Sequence, residues 1–314
     1  MEKFEFLEYL RDQEISYNDK GDVIEVGEGD WDIDFTLQPF RSIEFFPKGS
    51  KIKFINGGEV SLNNIEVLTD GMEFSNEGGV SIYSQSGVYF GEGIKILCEG
   101  ELYLSNCDQI SDDIIIAPAG GMTLEDVVEL YKGIDLSENI QGDITIKVKD
   151  SHKLIMPPGT TFINNGMVHI KGDVLLEDVF FNNADEVDLA HIHDIGNNVT
   201  FANKSYVEST CNKMTGDGIR FINEGDVILD RVQNIKHKAE FSNIGGVSLD
   251  QLLEIPKDQR FDNEGGVYLR SIKEIPYNIY FSNKGSVITS IDFSGIDRNI
   301  QEKRILNLLN KRLS

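Results

Sequence analysis

The sequence predicts a mainly β protein: a parallel β-solenoid of about 12 coils of about 20 residues, capped by an N-terminal helix and hairpin and by a C-terminal helix. Three observations carry this. The segments Phe221-Ile-Asn223-Glu-Gly225-Asp-Val227-Ile-Leu229, Phe241-Ser-Asn243-Ile-Gly245-Gly-Val247-Ser-Leu249 and Phe261-Asp-Asn263-Glu-Gly265-Gly-Val267-Tyr-Leu269 follow one another at a step of 20 residues. Counting from each Phe as position 0, apolar residues recur at 6, 8, 11, 14 and 18, as in Phe54, Val60, Leu62, Ile65, Leu68 and Met72. Within a coil, Val-x-Leu and the next Ile-x-Phe alternate by two, as strands with one inward face do.

Residues 1–50 read as the N-terminal cap. Phe4, Leu7 and Leu10 stand at helical spacing. A hairpin follows from Ile15-Ser-Tyr17 through an Asn18-to-Gly21 turn to Val26. A degenerate coil comes next, with Ile33 and Phe35 in the Val and Leu slots. Its Asp30-Trp-Asp32-Ile-Asp34-Phe35 has the alternating acids of a calcium loop. Phe35 stands where that loop needs Gly, and Arg41 where it needs Glu, so the calcium reading fails. Alternation instead gives a strand with Trp31, Ile33 and Phe35 inward and Asp30, Asp32 and Asp34 outward, a strongly acidic end.

Residues 51–293 form the solenoid, with coils starting at Phe54, Phe74, Ile96, Ile116, Glu138, Phe162, Phe181, Phe201, Phe221, Phe241, Phe261 and Phe281. The period is irregular over 84–150. Each coil is expected to hold two short strands, and the Leu-x-x-Ile-x-x-Ile stretch to form a bend or short helical turn. Asn at position 2 faces inward and passes amide hydrogen bonds from coil to coil. Gly at positions 4 and 5 supplies tight-turn backbone angles. Cys107 falls in an apolar slot and reads as core. Residues 294–314 carry Ile305, Leu309 and Leu313 on one helical stripe beside Lys303, Arg304, Lys311 and Arg312, a C-terminal capping helix with a basic last turn.

Composition bounds the partners. With 29 basic against 53 acidic residues the chain carries −24. Such a surface repels nucleic acid and anionic membranes and suits a basic partner, or serves solubility. Three cysteines make no disulfide framework, and neither a signal peptide nor an apolar run of spanning length is visible, so a cytoplasmic location is expected.

Phe54-Ile-Asn-Gly-Gly-Glu-Val-Ser-Leu62, Ile255-Pro256 and Ile275-Pro276-Tyr-Asn-Ile-Tyr-Phe281 resemble the unit of short-repeat solenoid proteins encoded by bacteriophages and related mobile elements. The ends resemble that family's ends too. The resemblance covers about residues 1–84 and 160–314 and weakens between, where the Asn slot holds Cys98, Pro118 and Ile140. It implies a fold and a viral source rather than a reaction.

Candidate sites come from the middle residue of Val-x-Leu, which faces solvent. That column includes Tyr103, Thr123, Thr145, His169, Asp188, Glu208, Ile228, Ser248, Tyr268 and Ile288. His169, Asp188 and Glu208 stand on successive coils about 5 Å apart, a spacing for acid–base work or a divalent metal, although three polar residues on a hydrophilic sheet is the plainer reading. Ile228, Tyr268 and Ile288 suggest a protein-binding patch. His191, His193 and, one coil later, Cys211 lack a fourth zinc ligand, and read as an exposed bend with Asp194 as a helix cap.

The leading expectation is a non-catalytic acidic interaction protein, without cofactor or metal. It would bind and inhibit a host defence or nucleic-acid-processing protein, in one version by imitating nucleic acid. The alternatives are a polysaccharide-acting lyase or hydrolase, centred on His169, Asp188 and Glu208, and a virion or surface structural part.

Overall fold

The computed structural model describes residues 3–27, 31–34, 51–85, 87–106, 109–110, 114–130, 140–273 and 279–290. The expected C-terminal helix and Cys107 lie outside them. Among the described residues the chain is mainly β, a parallel β-solenoid of about 11 turns with a single short N-terminal helix. Two compact units divide the chain, Met1–Gly166 and Met167–Ser314.

The first unit opens with helix Lys3–Asp12. Phe6 and Leu10 are its buried residues, while Phe4 is 67% exposed. The inward stripe thus follows the i, i+4 pair, correcting the Phe4-Leu7-Leu10 expectation. Tyr17–Asp19 pairs antiparallel with Val23–Val26, which pairs parallel with Lys51–Asn56. The hairpin therefore covers one edge of a six-stranded sheet that continues through Glu73–Asn76, Lys95–Cys98 and Ile115–Pro118. A second sheet pairs Trp31–Asp34 with Val60–Asn63 and runs on through Val80–Tyr83, Leu102–Ser105, Met122–Val127 and Ile144–Val148. Trp31 is opposite Val60 and Ile33 opposite Leu62. The degenerate coil is thus displaced by two residues from the expected alignment, which had Ile33 and Phe35 in these slots.

A third sheet is formed by Val67–Leu68, Tyr89–Phe90, Gln109–Ile110 and Glu129–Leu130. The Leu-x-x-Ile stretch is therefore extended, and a coil has three strands where two were expected. Spacing by three reflects corners that turn the chain between sides, so that an inward residue recurs on each side.

The second unit repeats the three sides. Its Phe-bearing strands include Phe180–Phe181, Thr200–Phe201, Arg220–Phe221, Glu240–Phe241, Arg260–Phe261 and Tyr280–Phe281. Its Val-bearing strands are Val168–Lys171, Val187–Ala190, Val207–Ser209, Val227–Ile228, Val247–Ser248, Val267–Leu269 and Val287–Thr289. The bend side carries Asp173–Leu176, Asp194–Ile195, Lys213–Met214 and Asn234–Ile235.

The interior is a set of columns. Phe181, Phe201, Phe221, Phe241 and Phe261 are fully buried, with centroids 4.9, 4.8, 5.0 and 5.1 Å apart and planes within 17° of parallel. Isolated aromatic pairs prefer offset or edge-on contact. Here the strand spacing dictates the separation. Beside the rings runs an asparagine ladder. Asn223 Oδ1 accepts from the backbone N–H of Asn203 at 2.9 Å and from its Nδ2 at 3.3 Å, and Asn243 and Asn263 do the same for the coils before them.

The glycines at position 4 have another cause than the expected one. Gly225, Gly245 and Gly265 are not among the positive-φ residues. A Cβ on Gly245 would lie 2.4 Å from the backbone of Gly225, and one on Gly265 within 2.6 Å of that of Gly245. Successive turns touch there, so a side chain has no room. Left-handed backbone instead occurs at position 17, at Gly71, Asn198, Gly218 and Asp258. Position 18, apolar in the two neighbouring coils as Ala239 and Ile279, holds Gln259 in one coil, fully buried. Its side chain accepts from Ala239 N–H at 3.0 Å and donates to the carbonyls of Ala239 and Arg260. Small Ala239 below makes the space, and the amide is satisfied.

Candidate functional site

Outward side chains on the Val side form the column expected from the sequence, one stretch in each unit. In the first unit Tyr103, Thr123 and Thr145 are in register. The Tyr103 hydroxyl donates to Glu125 Oε2, and Lys147 Nζ donates to Glu125 Oε1 at 3.0 Å. Burial, together with the bond to Glu125, raises the Tyr103 phenol's pKa. The bonds from Tyr103 and Lys147 hold the Glu125 carboxyl below the usual carboxylate range. Glu125 sits at a register shift between Leu124 and Val127, beside Asp126 with φ 55°. The bulge takes up an extra residue in the irregular stretch.

In the second unit His169, Asp188, Glu208, Ile228, Ser248, Tyr268 and Ile288 follow one another in register. His169 Nδ1 lies 2.9 Å from Asp188 Oδ2. Among the described residues no three His, Cys, Asp or Glu side chains converge as metal ligands. The acids here are engaged across coils: Tyr206 bonds Glu186, and with the charges of Glu208 and Asp188 nearby its phenol is pushed up to about 12.

The other candidates separate. Asp32 and Asp34 lie on the edge strand of their sheet; Asp30 lies outside the described residues. His193 Nδ1 is 3.2 Å from Asp173 Oδ1, and Cys211 is fully buried, its thiol pushed up to about 11 by desolvation. Asp194 caps no helix. It is buried in strand Asp194–Ile195 and accepts from the Thr215 N–H at 3.0 Å and from the Thr215 hydroxyl. A strand on the bend side displaces the helical turn that a cap would need.

One feature escapes the repeat. An open groove of about 530 Å³ crosses the Val side over three coils. Asp226, Asp230, Asp250 and Arg270 supply its charges, Ile228 and Tyr268 its apolar surface, and Gly245, Gly246, Gly265 and Gly266 its floor. Asp226 Oδ1 accepts from Gly246 N–H at 2.6 Å, and Ser248 Oγ donates to Asp230 Oδ1. Arg270 bonds Asp250 Oδ2 at 2.7 Å, its guanidinium 5.6 Å from the centre of the Tyr268 ring. The sequence signal was present as acids at positions 5 and 9 flanking Ile228, but it needs the coil-to-coil register to be seen as one surface.

Comparison with protein-family models, with curated proteins and with solved structures returns no match. Among the described residues no helix is long and apolar enough to cross a membrane.

Proposed function

We propose that this chain is a non-catalytic acidic interaction protein that binds a protein partner with a basic surface along the outward Val side of its second unit. One observation carries the reading: Ile228, Tyr268 and Ile288 share a single outward register line with the acid-bearing groove beside it. Apolar side chains exposed amid charge are what a binding face presents. The resemblance to phage and mobile-element repeat proteins favours inhibition of a host defence or nucleic-acid-processing protein in the cytoplasm. Affinity capture from bacterial lysate tests it: a stoichiometric partner is expected, and recovery of none defeats the reading.

Nucleic-acid imitation is a narrower form. The net charge of −24 supports it. Opposing it are cross-coil pairs that interleave base with acid, among them Lys53–Glu73, Arg220–Glu240, Arg270–Asp250 and Lys284–Glu264. If imitation operates, partner binding weakens steeply with salt and competes with DNA; salt-independent binding excludes it. A catalytic reading draws on the His169–Asp188 hydrogen bond alone. Turnover of an acidic polysaccharide that Asp188→Ala abolishes would establish it.

A further inference from the structure

We infer that the groove of the second unit binds a basic polypeptide segment, seating an arginine or lysine side chain against Ile228 and Tyr268 with its charge met by Asp226 and Asp230. The inference rests on the interaction-protein reading and gives it a place and a partner chemistry. The groove's acids outnumber its base, and Arg270 is already bonded to Asp250. The excess charge therefore belongs to Asp226 and Asp230. Each uses Oδ1 within the fold, to Gly246 N–H and Ser248 Oγ. Those bonds orient the carboxylates without neutralising them, and a carboxylate accepts at both oxygens.

Packing, rather than binding, accounts for the bare floor. A Cβ at Gly245 or Gly265 would strike the backbone of the coil beneath. The consequence is a floor without side chains beside the line of Ile228, Ser248 and Tyr268, in which only the small Ser248 separates the two larger residues. A long basic side chain fits such a surface, laying its methylenes on apolar atoms and its cation among the acids. An anionic ligand meets repulsion from Asp226 and Asp230. A purely apolar one would strip their water without replacing it.

The test uses the full chain and a fluorescein-labelled peptide alternating arginine and leucine, with a second peptide carrying citrulline at every arginine. At about 0.15 M salt, where only close charges act strongly, the arginine peptide should bind and the citrulline peptide should bind about tenfold more weakly or worse. Asp226→Asn with Asp230→Asn keeps both orienting bonds, so the fold persists, and should lose about tenfold. Tyr268→Ser should weaken binding separately. Asp185→Asn with Asp217→Asn, an equal charge change at exposed acids elsewhere, should leave it within about twofold. Equal losses from the two pairs, or none from the groove pair, overturn the inference by reducing binding to general polyanion attraction. A captured partner that still binds the groove variant also overturns it while leaving the interaction reading intact. Peptide binding at the groove without any captured partner does the reverse.

Discussion

Asn223 shows what one repeated residue does. Its carbonyl oxygen serves two donors of Asn203, and its own Nδ2 and backbone N–H serve Asn243. Asn223→Ala therefore strands the Asn203 N–H and Nδ2 in the interior, at a cost of about 2–4 kcal/mol, read as a lower urea midpoint. A substitution costing nothing would mean that the ladder is incidental to stability. Tyr206 supplies a spectroscopic test. Its phenol is pushed up to about 12 because it donates a hydrogen bond to Glu186 and other carboxylates stand nearby. The raised value means that the stabilisation is complete below about pH 10 and is lost as pH rises through the folded value. In alkaline absorbance titration, Tyr206→Phe should remove one tyrosinate step near 12; an unchanged absorbance change in that range refutes the assignment. Residues such as Phe221, Asn223 and Val227 were legible because they recur in phase. Gln259 was not, since a single polar residue in an apolar slot is satisfied only by the small Ala239 of another coil.

At the scale of a strand, the period fails where the chain is not a whole number of repeats. Trp31–Asp34 pairs with Val60–Asn63 across a segment unlike one repeat in length, so periodicity could not set its phase. The Val sides of both units were legible, and so was the order of the outward column. The bend-side strands were misread because two inward residues per side do not establish alternation. The bulge at Glu125 makes an element-scale prediction. Tyr103 and Lys147 from neighbouring strands lower the Glu125 carboxyl's pKa. Stabilisation by a lowered carboxyl is present above the unfolded value near 4.5 and lost as pH falls through the folded one. Glu125→Gln should therefore lose less stability than the parent between about pH 7 and about pH 3. The difference should stay below about 1 kcal/mol, since the pair is partly exposed. Parallel urea curves at the two pH values check it, and identical losses reject the coupling.

For the whole molecule, each coil meets only its neighbours, so removing one repeat in phase should leave a folded protein. Deleting residues 220–239 and deleting 221–240 both place Phe241 over Phe201, Asn243 after Asn203 and Val247 beside Val207. In both, Gly245 inherits the position over Ser205 that Gly225 now occupies. The two differ at one outward position. At present Arg220, Glu240 and Arg260 alternate in sign along successive strands, with Arg220 Nε 2.8 Å from Glu240. The first deletion leaves Glu240 beside Arg260; the second leaves Arg220 there, like charge against like. The first should be the more stable by about 0.5–1 kcal/mol at low salt, and the gap should close in concentrated salt, as expected for exposed charges. A ten-residue deletion, 220–229, brings the Phe column out of phase and should not fold cooperatively. If it melts like the other two, burial in this chain does not depend on the coil register. If the two in-phase deletions match at low salt, the alternating charges add nothing to the choice of which strands lie side by side.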